Sequence, residues 1–411
     1  MDEGQTDTHS KAQIGGAHAP CSCRSLHPIP AMIMSRIDES TQNKRSKIHT
    51  EEYLVNMGPQ HPSTHGVLRL VIRLDGETVL EVTPHLGYIH RSIEKICENE
   101  TYPQITHLTD RLDYLSAHIN NWCWIDLVER AIGLEVPERA QVARVIISEL
   151  QRIQSHLLWW GVFGMDLGAF TPFLYGFRDR EQITDIFEET CGARLTMNYF
   201  RIGGLVWDLH ENFVSRTKKF LDYFPQALQE HERLLSENVI VQERCSGIGV
   251  LSTEKALAYG CSGPVLRASG VDYDVRKIQP YGIYERFDFE VPIGTKGDCL
   301  DRYRVRIEEM RESMKIIRQG LDMLAPGDFC ALTPRKIKLP QGEFYSLMET
   351  ARGSFGCYVF SDGSDKPYRA KLTSPGFNCL QAINEMAQGL KIADLVAIIS
   401  TLDLVIPDID R

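Results

Sequence analysis

Apolar and polar residues alternate over two short runs near residue 70, a pattern typical of strands with one buried face. The runs VLRLVIRL and ETVLEV are separated by Asp75-Gly76, and Asp-Gly between alternating runs is a strong signal for a tight hairpin turn. The preceding run EYLVNM (52–57) has the composition of a third short strand. These patterns predict a small antiparallel sheet.

A helical period replaces this alternation from about residue 88 to 324, where apolar residues recur at three- and four-residue steps. The pattern is longest over four stretches: 104–132, 138–165, 211–243 and 298–324. After Pro326 shorter pieces follow: GEFYSLMETARGSFGCYVFSDGS has the pattern of strand, glycine turn and strand, and ADLVAIISTLDLVI is an apolar run. The predicted fold class is therefore α+β and predominantly helical.

The same patterns predict four parts along the chain. The first 47 residues are polar and lack any periodicity, so we expect a flexible N-terminal tail. The other parts are an antiparallel sheet at 48–87, a helical bundle at 88–325 and a mixed C-terminal α+β part at 326–411.

Charge and cysteine usage argue against nucleic-acid binding and against a protein built on disulfides or a cysteine metal site. The chain has 411 residues, a net charge of −10 and no basic stripe with interleaved aromatic residues, which argues against nucleic-acid binding. Its eleven cysteines are scattered, and no C-x-x-C motif occurs. We therefore expect reduced, mostly buried thiols instead of a disulfide framework or a cysteine metal site.

The segment LLWWGVFGMDLGAFTPFLYGF (157–177) is long and apolar enough to raise the question of a membrane span. Asp166 lies near its middle, where a charge at a bilayer centre costs at least about 2.5 kcal/mol. Pro172 and the glycines of the segment break the helix. We therefore predict a buried segment that lines an apolar cavity, and any membrane role would be peripheral.

Two histidines, His61 and His65, lie in the stretch GPQHPSTHG (58–66) that precedes the hairpin. A spacing of four would place both on one face of a helix as a metal-ligand pair, but two prolines and two glycines disfavour a helix. We expect a loop and no metal site, because further ligands at a recognisable spacing are absent. The alternative for each histidine is an ordinary hydrogen-bonding role in a turn.

Further candidates are the stretch RLDYL, with Arg111, Asp113 and Tyr114 in a predicted helix, and the acidic C terminus DLVIPDIDR. Each has an ordinary alternative: an ion pair between Arg111 and Asp113, a half-buried aromatic ring, or a helix cap at Asp166. An apolar cavity that ends in His, Tyr and Asp suits a hydrophobic ligand that must be protonated. Two-electron reduction of a quinone creates that demand, because a charged product is costly in a dry pocket.

Long motifs over residues 52–411 carry a resemblance to a known family. They are NMGPQHPSTHGVLRL, HLGYIHRSIEK, TYPQITHLTDRLDYL, MDLGAFTPF, YFRIGG, LRASGVDYDVRK, YERFDFEVPIGTKGDCLDRY, RIEEMRESMKII and SPGFNCLQ. They resemble the D-type (49-kDa-type) subunits of the proton-translocating NADH:quinone oxidoreductase, respiratory complex I.

The resemblance implies a core component of the peripheral arm, on the cytoplasmic side of the cell inner membrane, and an enzyme of the translocase class. It implies contacts with the B-type and C-type subunits of that arm and with the H-type subunit of the membrane arm. No cofactor would be bound covalently, and the substrate would be a quinone, either menaquinone or ubiquinone. The quinone pocket would be shared with the B-type subunit, whose 4Fe-4S cluster ends the electron chain.

The resemblance also implies roles for individual residues. His65 and Tyr114 would contact the quinone head, and Asp166 would be the partner of His65. Arg91 would lie near the cluster. The remaining residues expected in the pocket or near the cluster are His61, Arg111 and Asp113.

The fold of this family is similar to that of the large subunit of nickel–iron hydrogenases, so we expect a hydrogenase-like helix bundle. Such a hydrogenase needs four thiolates from two C-x-x-C motifs, but the corresponding stretches RLDY and DLVIPDIDR contain no cysteine. A hydrogenase centre is therefore excluded. Two rivals stay open: the same role in a complex fed by ferredoxin or another donor, and a structural scaffold with a vestigial quinone pocket.

One departure from the family pattern concerns the region 325–345. The family usually has a helical segment between the long helix and the GEFY strand, whereas here MLAPGDFCALTPRKIKLPQGEFY runs almost straight across. This leaves open how the region packs and whether the chain is a divergent variant or the product of a faulty gene model.

Overall fold

The computed structural model describes residues 52–59 and 66–411. The tail predicted for residues 1–47 and the predicted site residues His61 and His65 lie outside the described residues.

The described residues contain eight strands in three antiparallel sheets. The first sheet has the order β1-β2-β3, the second is a two-residue ribbon β4-β5, and the third has the order β6-β7-β8. The bounds are β1 Glu52–Met57, β2 Arg69–Asp75, β3 Thr78–His85, β4 Phe200–Arg201, β5 Gly204–Leu205, β6 Gly342–Thr350, β7 Gly353–Ser361 and β8 Arg369–Thr373.

Fifteen α-helices occur in the same part of the chain. They are α1 Ile93–Cys97, α2 Tyr102–Thr109, α3 Ala117–Ile132, α4 Glu138–Asp166, α5 Phe170–Cys191, α6 Phe213–His231, α7 Val239–Cys245, α8 Thr253–Ala258, α9 Gly263–Ala268, α10 Val275–Ile278, α11 Cys299–Met323, α12 Pro375–Gln381, α13 Ile383–Ala387, α14 Ile392–Leu402 and α15 Ile406–Asp410. The predicted α+β class is therefore confirmed.

The predicted hairpin at Asp75-Gly76 is confirmed by antiparallel pairing of β2 with β3. Alternate residues of β2, namely Leu70, Ile72 and Leu74, are buried, as the alternating pattern requires. The sheet is joined to the C-terminal helices, because the backbone N–H of Val82 donates to the side chain of Asn384 at 2.9 Å.

Helix α4 runs through the core, and nearly every residue between Ala140 and Gly164 is buried. Of the glycines in 157–177, Gly161 and Gly164 lie inside α4 and do not break it, in contrast to the prediction. Together with Gly176 of α5 they let two helices approach closely: a Cβ on Gly176 would lie 2.8 Å from the carbonyl oxygen of Leu157. The break falls after Asp166, where Gly168 has φ +90°, and Pro172 lies in the first turn of α5, where proline is tolerated.

None of the described helices combines the length and apolar character needed to cross a membrane.

The predicted helical stretch 104–132 is two helices, and this part of the prediction is wrong. Residues 110–116, which include RLDYL, form a turn between α2 and α3. Inside this turn the carboxylate of Asp113 accepts the backbone N–H of Leu115 at 3.1 Å and is bound by Arg352. A side chain that binds nearby backbone competes with helical hydrogen bonds, and here a distant partner stabilises the turn.

The region 325–345, whose packing the sequence left open, is anchored by backbone hydrogen bonds. The N–H of Leu205 donates to the carbonyl of Phe329 at 2.9 Å, and the N–H of Ala331 donates to the carbonyl of Gly203 at 2.8 Å. Gly204 lies between these bonds with φ +151°, and a Cβ there would lie 2.2 Å from the Phe329 oxygen. The chain is thus attached to the β4-β5 ribbon through its backbone.

The expectation of unpaired thiols is confirmed for the nine described cysteines. All nine are free, and eight of them are buried.

Candidate functional site

Tyr114 is half-buried in the turn 110–116 and contacts a small apolar cluster. The members of this cluster, here called the tyrosine cluster, are Leu115, Leu158, Val162 and Val405, with Phe173 and Phe177 packed against them. They come from the turn, from α4, from α5 and from the segment between α14 and α15. Burial raises the pKa of Tyr114, so its phenol is protonated at neutral pH and is a hydrogen-bond donor.

Asp166 lies on the same line along α4 as two members of the tyrosine cluster. Leu158, Val162 and Asp166 follow each other at steps of four, which places them on one face of a helix. Asp166 is the last residue of the helix and is half-buried. The line therefore changes from apolar side chains to a carboxylate at the helix end.

The described residues that flank 60–65 are both anchored. The carbonyl of Pro59 accepts the N–H of Leu68 at 2.8 Å. Gly66, which follows His65 in the sequence, has φ +142°, and a Cβ there would lie 2.8 Å from the Cβ of Ile406. Ile406 follows Val405 in the sequence, so Gly66 packs against the C-terminal segment that also supplies Val405 to the tyrosine cluster.

A buried ion-pair system connects the turn of Tyr114 to the C-terminal segment. Nη1 of Arg352 lies 2.9 and 3.2 Å from the two carboxylate oxygens of Asp113. Nη2 donates to the carboxylate of Asp403 at 3.1 Å, and Nε donates to its backbone carbonyl at 3.1 Å. The three side chains are almost completely buried, and a buried charge requires such partners.

The acidic residues of the C terminus have separate roles. Asp408 is buried, and burial together with the charge of Asp113 raises its pKa to about 7, while Ser374 donates a hydrogen bond to it. Asp410 accepts the backbone N–H groups of Gly87 and Ile89 at 2.9 and 3.0 Å. Asp410 thereby holds the loop that leads to Arg91.

Arg91 and Arg111 meet at the surface beside the turn of Tyr114. Nη2 of Arg91 donates to the backbone carbonyl of Arg111 at 3.0 Å, and both residues are exposed. Arg111 pairs with Asp110 at 3.1 Å, whereas Asp113 pairs with Arg352. The alternative of an Arg111–Asp113 ion pair is therefore wrong.

The structure thus brings the turn with Arg111, Asp113 and Tyr114 next to Arg91, and one apolar cluster links it to the helix that ends in Asp166. Sequence reasoning missed Arg352. The available signal was an arginine in the predicted glycine turn of the ETARGSFG stretch, where a charge between two largely buried strands needs a partner.

Within 52–59 and 66–411, no group of three or more His, Cys, Asp or Glu side chains is arranged to hold a metal ion.

The chain is similar to a known protein family. The family model described as respiratory-chain NADH dehydrogenase, 49 kDa subunit, matches residues 166–338 and 328–411. The two matches together cover more than half of the chain and include Asp166, Arg352 and the acidic C terminus.

Three curated relatives, all named as components of an NADH-quinone oxidoreductase, show the extent of the similarity. The D-type subunit of Desulforamulus reducens is 51% identical over 363 residues, which cover 88% of this chain and 99% of the relative. The D-type subunit of Geotalea uraniireducens is 50% identical over 387 residues, with the same coverage. The fused C/D-type subunit of Bacteroides thetaiotaomicron is 49% identical over 375 residues, which cover 91% of this chain and 71% of the relative.

The comparisons also bear on the length of the region 325–345. The two matches of the family model overlap at 328–338. The alignment with the Geotalea relative is longer than that with the Desulforamulus relative, 387 against 363 positions, at the same share of this chain. The Desulforamulus relative aligns over 363 residues, which cover 88% of this chain and 99% of the relative, so the two chains have nearly equal lengths over the matched part.

Proposed function

Since the chain belongs to the family of the 49 kDa subunit of respiratory-chain NADH dehydrogenase, we propose that it forms the quinone-reducing pocket of an NADH-quinone oxidoreductase together with the B-type subunit. The observation that carries this proposal is the tyrosine cluster, a buried apolar cluster against which the half-buried, protonated phenol of Tyr114 packs, with a carboxylate at the end of the same face of α4. A protonated phenol and a carboxylate in apolar surroundings suit a ligand whose polar head must be protonated.

Reduction of a quinone to a quinol requires two electrons and two protons. In our proposal, the electrons come from the 4Fe-4S cluster of the B-type subunit. The Oη–H of Tyr114 and the imidazolium of His65 donate the two protons to the quinone oxygens. Burial keeps Tyr114 protonated until the quinone oxygen becomes basic enough to take its proton.

Asp166 is the proposed partner of His65. A carboxylate beside an imidazole favours the charged, doubly protonated form and orients the ring. The half-buried position of Asp166 at the end of α4 supports this role, as does the packing of Gly66, the residue after His65, against the C-terminal segment that carries Val405.

The proposed setting is the peripheral arm on the cytoplasmic side of the inner membrane, with the B-type, C-type and H-type subunits as neighbours. The fused C/D form of the Bacteroides relative supports contact with a C-type subunit. The exposed guanidinium of Arg91, attached to the turn of Tyr114, suits the proposed place near the cluster of the B-type subunit. We also infer a fold similar to that of the large subunit of nickel–iron hydrogenases, without the metal centre of those enzymes.

The proposal is tested by His65→Ala and Tyr114→Phe in the assembled complex. Loss of a general acid typically costs 10²–10⁴-fold, so we expect quinone reduction to fall by roughly 100-fold in each variant. Reduction of ferricyanide, which takes electrons at the input subunits, should stay unchanged. Tyr368→Phe, at an exposed tyrosine, is the matched control and should leave both activities intact.

Two other results would contradict the proposal. If both variants keep full quinone reduction, the site is assigned wrongly. If the unaltered complex reduces ferricyanide but no quinone, the chain is a scaffold with a vestigial pocket. Identification of the input subunits in the purified complex separates an NADH-fed from a ferredoxin-fed enzyme.

A further inference from the structure

Arg352 lies in the two-residue turn between β6 and β7 and is 3% exposed. Its guanidinium contacts three separate parts of the chain. Besides Asp113 and Asp403, it donates a hydrogen bond from Nη1 to the hydroxyl of Ser155 at 3.1 Å. Each of these three partners belongs to a different element.

The three elements are the ones that build most of the tyrosine cluster. Asp113 directly precedes Tyr114 and Leu115 in the turn. Ser155 lies on α4, one turn before Leu158. Asp403 lies two residues before Val405. One side chain outside the cluster therefore fixes the positions of the turn, the helix and the C-terminal segment relative to each other.

The turn that carries Arg352 is itself fixed by close packing. Gly353 has φ +134°, and a Cβ there would lie 2.5 Å from the hydroxyl of Ser262 and 3.0 Å from the backbone nitrogen of Gly263. The backbone of the β6-β7 turn thus contacts the start of α9 directly. Arg352 extends from a rigid base, which a positioning residue needs.

We propose that Arg352 is the positioning residue of Tyr114, which orients its phenol toward the oxygen of a quinone head. This inference rests on the proposed function and adds a residue that acts through Tyr114 without touching the quinone.

The electrostatic arrangement supports this role. Among the described residues, the charged groups that act on Tyr114 are Arg352, Asp113 and Asp403. Burial and the two carboxylates raise the pKa of Tyr114, whereas the guanidinium lowers it. Loss of Arg352 would leave the two carboxylates uncompensated, and the phenol would become a weaker proton donor.

Lysine cannot replace arginine at this position. An ammonium is a single point of charge, whereas the guanidinium spreads five N–H donors over a planar fork. Here Nη1 donates hydrogen bonds to Asp113 and Ser155, while Nε and Nη2 donate to Asp403. Arg352→Lys therefore keeps the charge but loses the simultaneous contacts, so it separates positioning from simple charge balance.

The experiment is a double-mutant cycle with Tyr114→Phe in the assembled complex, assayed with a short-chain naphthoquinone and with ferricyanide. We expect Arg352→Lys to lower kcat for quinone by about tenfold, because small misplacements of a reacting group are costly. The same change in the Tyr114→Phe background should cause no further loss. The solvent deuterium isotope effect on kcat should rise in Arg352→Lys, since proton donation becomes slower.

The matched control is Arg144→Lys. Arg144 is an equally buried arginine that binds Glu129 at 2.8 and 2.9 Å, away from the tyrosine cluster. We expect it to leave kcat and the isotope effect unchanged. Ser155→Ala removes only one hydrogen bond of Arg352 and is the alternative variant if the Arg352→Lys complex does not assemble. We expect it to lower kcat for quinone by about threefold. This loss should occur only when Tyr114 is present.

Three results would overturn the inference. Arg352→Lys with normal kcat beside an impaired Tyr114→Phe would contradict the positioning role while the proposed function stands. Additive losses in the double variant would show that Arg352 acts independently of Tyr114. Full activity of Tyr114→Phe would overturn the proposed site and, with it, this inference.

Discussion

Asp408 is a buried carboxyl group beside the candidate site, and its ionisation couples the stability of the chain to pH. Burial and the nearby Asp113 raise its pKa to about 7. In the unfolded chain the same carboxyl would titrate near its ordinary value of about 3.9. The folded state therefore favours the protonated form, and this contribution to stability is fully present below about pH 4 and is lost as the pH rises through about 7.

Asp408→Asn should remove this pH dependence, because an amide stays neutral at every pH. The melting temperature of the variant relative to the unaltered chain should increase between pH 4 and pH 8. A pKa difference of about three units corresponds to roughly 4 kcal/mol as an upper limit. Differential scanning fluorimetry at several pH values measures the trend.

Asp322→Asn is the control for this prediction, since Asp322 is exposed at the end of α11. Its relative melting temperature should show no such rise. Parallel curves for the unaltered chain and Asp408→Asn would show that Asp408 is ionised throughout and would contradict the prediction.

The site residues differ in how far the sequence reveals them. Tyr114 and Asp166 stand out because a tyrosine next to charges and a lone acid in an apolar run are visible without coordinates. The partner of Asp113 is not visible, because Arg352 follows 239 positions later in the chain. A nearby arginine, Arg111, was the obvious partner from the sequence and binds Asp110 instead.

Among the elements, the β6-β7 hairpin shows how a turn can support a site. Gly353 has a backbone conformation that disfavours other residues. A Cβ on this residue would overlap Ser262 and the backbone of Gly263 at the start of α9. Gly363, after β7, also has a positive φ of +93°, but nothing lies within 4 Å of a Cβ built there. A residue with a Cβ would be strained at either position, but only at Gly353 would its Cβ also overlap neighbouring atoms.

Gly353→Ala should destabilise the chain by more than about 3 kcal/mol, since overlap with Ser262 adds to left-handed strain of about 1–3 kcal/mol. Gly363→Ala should cost only the strain. Urea unfolding of the two variants measures the difference. Equal losses would show that the turn can move away from α9, which would also weaken the rigid base assigned to Arg352.

The break between α2 and α3 shows that a buried charge can interrupt a helical pattern. Apolar residues keep a helical spacing through 104–132, so the period alone indicates one helix. The structure interrupts it at 110–116, where the buried carboxylate of Asp113 finds its partners. Leaving a buried charge without its partner costs about 3–5 kcal/mol, which exceeds a local helix propensity of less than about 1 kcal/mol per residue.

For the whole molecule, the linker 324–341 shows that a segment without secondary structure can be well anchored. Its backbone bonds to the β4-β5 ribbon, and Nη1 of Arg139 donates to the carbonyl of Ala325 at 2.9 Å. Gly204 permits the closest approach between the linker and the ribbon. Backbone hydrogen bonds and one arginine contact therefore fix the linker without a helix or strand of its own.

We expect peptides that contain Leu205 and Ala331 to exchange their amide hydrogens slowly, because these N–H groups are bonded between ribbon and linker. Gly204→Ala should accelerate exchange in both peptides, since its Cβ would overlap the Phe329 oxygen. Gly327→Ala is the control within the linker, because the nearest atom to its Cβ is 3.8 Å away. Hydrogen–deuterium exchange with mass spectrometry measures all three; rapid exchange in the unaltered chain would contradict this packing.

The sequence by itself determined the α+β class, the first hairpin, the long helices α4 and α11, the free cysteines and the family. These features depend on local periodicity, turn residues and long motifs, all of which can be read along the chain. Only the tertiary structure decided that RLDYL is a turn, that Asp113 binds Arg352 and that the shortened linker pairs with a ribbon. The reason is that a buried charge and an unpaired backbone group must be satisfied by whichever partner the fold brings close, and that partner is often remote in sequence.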